Sequence, residues 1–144
     1  MNNFYFKQIE DNYCSLRFNE IININVGNLV NMPLEWLKII KFHFEIYNTS
    51  AFNEAGLCLP LYDEDYSIIF CFQYELILYR PDRNKVFISI DDISALEFTK
   101  LLINALIEFK SQWIQFLIEK NKDVLNMTNQ FNKLLYIITG KNNE

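Results

Sequence analysis

The chain predicts an α+β fold, an antiparallel sheet from the N-terminal and central strands packed by two C-terminal helices. Three observations predict it. Between Tyr13 and Ile90, short runs alternate apolar and polar residues or concentrate Ile, Phe, Tyr, Leu and Val, as strands do. From Ser94 onward the apolar spacing becomes that of helices and stays so to Thr139. Strands first and helices last is the order of an α+β domain. With 144 residues, 51% of them hydrophobic, the chain can bury a core without disulfide or metal staples, so one domain over 1–144 is expected.

Taken in order, Tyr13 to Phe18 and Glu20 to Val26 alternate as half-buried strands, with Asn19 at a turn or bulge between them and Gly27-Asn28 closing the pair. Pro33 suits a first helical turn, and Leu34, Leu37 and Ile40 share a helical face. Ile40, Phe42, Phe44 and Ile46 then alternate with Lys41, His43 and Glu45. The expectation is a short helix from about Pro33 passing into a strand or an extended segment by Phe42, followed by a loop from Asn48 to Glu54. Leu57 to Leu61, Tyr66 to Tyr79 and Lys85 to Ile90 predict a meander, with Arg80 to Asn84 as a turn. The run Ile68 to Phe72 is apolar at every position and predicts a central strand covered on both faces.

Ser94 and Glu97 form a capping box, flanked by Ile93 and Phe98 as a staple, so a helix is expected from about Ala95 to Lys120. Phe98, Leu101, Leu102, Ala105, Leu106, Phe109, Trp113, Phe116 and Leu117 form its apolar face. Ile103, Ile107, Ile114 and Ile118 widen that face beyond what one sheet can cover. The helix should therefore be interior or a homodimer contact, with Ile107 and Ile114 as the telling residues. A second helix from about Lys122 places Val124, Met127, Phe131, Leu134, Leu135 and Ile138 on one side, and Gly140 reads as its stop.

Few motifs of chemistry can be written. His43 is the single histidine, so multi-histidine metal sites and His-based relays fail by count. Its H-x-E pattern with Glu45 lacks the Pro-Cys-x-x-Cys of a zinc deaminase. Three glycines allow no phosphate-cradling loop and no G-x-S-x-G elbow. Cys14, Cys58 and Cys71 are odd in number and widely spaced, which fits reduced thiols. No cofactor, metal or catalytic residue is expected, although carboxylate-only catalysis is not excluded by these counts. Met1 to Phe6 lacks the features of a secretory signal, and no apolar run is long enough to span a bilayer; a cytoplasmic protein without a membrane partner is expected.

Charge is more informative. Residues 1–92 hold seven Lys or Arg against thirteen Asp or Glu, whereas the remaining 52 hold six against five. The acidic excess belongs to the strand-bearing part and repels nucleic acid. Within it, Asp63, Glu64 and Asp65 stand in succession between Tyr62 and Tyr66. As a solvated turn the segment keeps the sheet soluble. As a recognition loop, its rings supply contact area and its carboxylates steer towards a basic partner, with Asp91 and Asp92 as further candidates.

In size, acidic balance, the Tyr62 to Tyr66 loop and its lack of catalytic residues, the chain resembles bacterial toxin-immunity proteins, including those of contact-dependent growth inhibition. That resemblance implies a cytosolic protein that binds and neutralises a cognate toxin, with a basic nuclease as the expected partner. The alternative is an acidic secretion or assembly chaperone that binds an extended segment of a partner.

Overall fold

A computed structural model describes residues 3–19, 22–80 and 85–142. Three strands, β1 (Phe4–Glu10), β2 (Tyr13–Phe18) and β3 (Ile22–Val26), form one antiparallel sheet in that order. Four more, β4 (Leu57–Pro60), β5 (Ile68–Phe72), β6 (Glu75–Arg80) and β7 (Lys85–Asp91), form a second antiparallel meander. The described residues also form four helices: α1 (Met32–Ile46), α2 (Thr49–Ala55), α3 (Ala95–Glu119) and α4 (Val124–Asn142).

The α+β class stands, but the strands divide into two sheets instead of one. In the three-stranded sheet, Phe4, Phe6, Leu16, Phe18, Ile24 and Val26 face the core by period-two alternation. On its other face the hydroxyl of Ser15 donates to the side-chain oxygen of Asn23. Asn19 takes the left-handed conformation (φ 54°) at the β2 end, as a turn there requires, and its side chain accepts the amide of Asn3 at 2.6 Å. β1 escapes sequence reading because its apolar faces are broken by Lys7, Gln8 and Glu10, and a register shift near its end disturbs the alternation.

α1 is helical throughout, correcting the extended segment expected from Phe42. The alternation of residues 40–46 is an accident of composition: Ile40 is buried, Phe44 partly so, while Phe42 and Ile46 are exposed. Residues 49–55, expected as loop, form α2, which Asn48 caps by accepting the amide of Ala51 at 2.9 Å. The long run from Tyr66 to Tyr79 is two strands folded at Gln73 and Tyr74, both at positive φ (53° and 63°) as in a type I′ hairpin turn. The turn expected after Arg80 lies, from residue 81 to 84, outside the described residues. β5 is central in its sheet, yet only Ile69 and Cys71 are buried; Ile68, Phe70 and Phe72 are half-covered on the opposite face, correcting the expectation of two covered faces.

Ser94 caps α3 as expected, accepting the amide of Glu97 at 3.0 Å. α3 lies on β1 and β5 and touches α1, α2 and α4. Glu97, Lys100, Asn104, Glu108, Ser111, Gln112, Gln115 and Glu119 all face solvent, which fixes the helix phase. The second apolar row splits. Ile103 is buried and Ile114 half-buried, whereas Ile107 and Ile118 are exposed. α4 packs against α1 and α3, with Phe131 against Trp113 at 5.5 Å between ring centroids. Gly140 does not stop it, since the helix continues to Asn142 at the modest cost glycine carries in a helix interior.

Candidate functional site

The acidic loop is built at the seam between the two sheets. β4 ends where the indole of Trp36, on α1, donates to the Pro60 carbonyl at 2.8 Å. The next carbonyl, of Leu61, accepts the amide of Gly27 at 2.8 Å and so ties the end of β3 to the loop. Gly27 is required there by proximity: a Cβ would lie 2.1 Å from the Tyr62 carbonyl oxygen. The loop closes on itself through the Leu61 amide to the Ser67 carbonyl, 3.0 Å, and through the Asp63 carboxylate, which accepts the Ser67 amide at 2.8 Å.

Arg80, at the end of β6, donates from Nε to the hydroxyl of the buried Ser67 at 3.2 Å and pairs with Asp65 at 3.5 Å. Two of the three successive carboxylates therefore hold the loop in shape. Glu64 is exposed. Tyr62 and Tyr66 both sit at φ 56°, a conformation that costs a non-glycine residue energy and here turns the chain at both shoulders of the loop. Tyr62 packs against the core, and burial, with the nearby Glu35 charge, pushes its phenol up from the ordinary value. Tyr66 is 80% exposed.

Beside this loop opens a cleft of about 470 Å³. One wall is the three-stranded sheet, with Glu10 of β1, Tyr13 of β2 and Asn23, Ile24 and Asn25 of β3; the other holds Asp63, Glu64, Asp65, Ser67 and Arg80, with Leu61 and Leu78. Among the described residues, four carboxylates thus line the cleft against one guanidinium. That charge balance makes the potential at the cleft negative.

The residues singled out from sequence do not form one patch. Asp63, Glu64 and Asp65 line the cleft, Tyr62 backs it from the core side, and Tyr66 stands clear of it. Asp91 closes β7 opposite Glu75, its side chain outside the described residues, and Asp92 is exposed at φ 61°. Glu75 and Arg80 mark opposite ends of β6, about 17 Å apart by strand rise, so Asp92 belongs to the far end of the sheet. Glu10, Tyr13, Asn23, Asn25 and Arg80 were not legible as site residues. The alternation of Asn23 and Asn25 shows that they share a face, but only the tertiary seam brings that strand to the loop.

Elsewhere the reactive groups are absorbed by structure. His43 Nδ1 lies 3.0 Å from the Ile39 carbonyl, and its ring meets Tyr47 and Phe52. Burial pushes the thiols of Cys14 and Cys71 up to about 12, with Glu97 adding to the effect at Cys71, whose Sγ contacts the Ile93 carbonyl at 3.5 Å. Cys58 is exposed. Among the described residues, no three of His, Cys, Asp and Glu converge to hold a metal ion, and no helix is long and apolar enough to cross a membrane. No protein-family model, curated protein sequence or solved structure matches the chain.

Proposed function

We propose that this chain is a cytosolic immunity protein that neutralises a cognate toxin by binding a basic surface of it. The observation that carries the proposal is the cleft in which, among the described residues, Glu10, Asp63, Glu64 and Asp65 outnumber the one cation Arg80. A nuclease must be basic where it holds phosphates, and an acidic cleft competes for that surface as a mimic of the nucleic-acid backbone. The same field disfavours nucleic acid as a partner. Catalysis by the cleft's own carboxylates is not part of the proposal, because Asp63 and Asp65 are engaged with Ser67 and Arg80.

A second reading has its own observation. The outward face of the four-stranded sheet carries Ile68, Phe70, Phe72 and Ile77, with the Phe70 and Phe72 rings stacked at 5.4 Å. Such a face suits a chaperone that shields an apolar segment of its client. Co-expression with the product of the adjacent gene, followed by pull-down and binding kinetics, tests both. A tight complex that is weakened by charge reversal at Glu64 supports the immunity reading. A complex weakened by Phe70→Ser and indifferent to Glu64 supports the chaperone, and if no neighbouring product binds, the immunity reading fails.

A further inference from the structure

β1 and β3 are the two edge strands of the three-stranded sheet; β1 packs its apolar face on α3, and β3 lines the acidic cleft through Asn23, Ile24 and Asn25. An edge strand of an antiparallel sheet turns the N–H and C=O groups of alternate residues away from its neighbour. Among the described residues, the backbone of Asn23, Ile24 and Asn25 is bonded to β2 alone. Ile24 is buried, so this length of edge is held rigidly, while Asn23 and Asn25 are exposed and carry no charge. Proteins usually blunt such an edge with lysine, proline or a covering loop. Here the space beside it stays open.

We propose that β3 is an acceptor edge, to which an extended basic segment of a partner protein adds as the fourth strand of the N-terminal sheet. The cleft that this strand lines has a volume of about 470 Å³. Charge selects the occupant. Side chains projecting from the added strand meet Glu64 and its neighbouring carboxylates, which favours Lys or Arg and opposes an acidic segment. A second copy of this chain pairing β3 to β3 would bring two such acidic walls together, which argues against self-pairing. Backbone bonding would give affinity with little demand on sequence, and the acidic wall would give selectivity.

The inference takes the basic character of the occupant from the function proposed above, and its test separates the two. The probe is a seven-residue peptide of alternating valine and lysine with blocked ends. It is compared with a glutamate-for-lysine version and with one N-methylated on alternate amides. Binding is followed by nuclear magnetic resonance, together with hydrogen exchange of the Asn23, Ile24 and Asn25 amides. The lysine peptide should bind and slow exchange at the outward-facing amides. N-methylation on the bonding side and the Glu64→Lys variant should each weaken it by about tenfold or more.

Equal binding by the methylated peptide would overturn strand addition while leaving an acidic docking face. Equal binding by the glutamate peptide would overturn the charge assignment, and failure of every peptide would overturn the acceptor edge. Exchange already slow without peptide, in a chain that sediments as a dimer, would show the edge taken by a second copy. A neighbouring gene product that binds without protecting these amides would end this inference and keep the immunity proposal. Peptide binding with protection, but no bound neighbouring product, would do the reverse.

Discussion

The side-chain oxygen of Asn53, on α2, accepts the backbone amide of Leu96 in the first turn of α3 at 2.9 Å. Together with Ser94 it satisfies two of the amides that a helix start leaves open. One comes from the local cap and the other from a helix more than forty residues earlier. Ser94→Ala and Asn53→Ala should each cost about 1 kcal/mol in urea denaturation. An unchanged midpoint for either would show that water replaces that bond without loss.

The split second row of α3 predicts a sharp contrast between neighbours on one helix. Leu102→Ala removes a fully buried side chain and should cost about 2 to 5 kcal/mol. Ile118→Ser, at an exposed position, should stay within about 0.5 kcal/mol. Sedimentation of Ile107→Lys beside the wild type then asks whether the exposed ridge joins two copies. A mass that halves on substitution places a homodimer contact there; a wild-type monomer excludes it.

Within the acidic loop, holding and binding should separate by residue. Asp63→Ala removes the acceptor for the Ser67 amide and should lower stability by about 1 kcal/mol. Glu64→Lys should leave the denaturation midpoint unchanged, slow association with a basic partner and reduce its salt dependence, because steering acts on encounter. Tyr66→Ala should instead speed dissociation if the exposed ring anchors the complex. Stopped-flow association at two salt concentrations reads both effects. Unchanged rates in a tight complex would leave the loop as a structural turn.

The buried thiols set an alkaline limit. Cys14 and Cys71 are raised from 9.0 to about 12, so the fold favours their neutral form. Below pH 9 neither state ionises them and they add no pH dependence. Above it the unfolded chain loses protons first, and stability should fall by about 1.4 kcal/mol per pH unit for each thiol until the folded value near 12 is reached. Urea midpoints between pH 8 and 10.5, with Cys71→Ala as the comparison, test the slope. Iodoacetamide at pH 8 should label Cys58 in the native chain and the other two only after unfolding.

The elements legible in the sequence are those whose signal is local. The α3 cap and phase follow from Ser94, Glu97 and a long apolar stripe; the β2 and β3 pair follows from strict alternation. What was hidden depends on contacts between distant segments. Residues 40–46 alternate like a strand, yet α1 continues because it packs against α4 and β4. α2 is short and carries one large apolar side chain, Phe52, which is fully buried, so burial of one ring decides what propensity leaves open. At the site, the run of carboxylates is visible in sequence. The strand edge facing it is set by the Gly27 to Leu61 bond, which joins residues 34 positions apart.

The bond from the Trp113 indole to the Leu29 carbonyl, 3.0 Å long, spans 84 positions. It reports on the order in which the molecule can assemble. Every strand precedes α3, yet the apolar face of β1 packs on that helix through Phe4 against Phe98 and Phe6 against Phe109. During synthesis, both sheets emerge before the element that closes their core, with Phe4, Phe6 and Cys71 facing water or a transient contact. Loop closure over such distances slows folding, and the uncovered intermediate is prone to aggregate. Truncation before Ala95 should therefore yield an insoluble chain, and heterologous production should improve when translation is slowed or a holding chaperone is supplied.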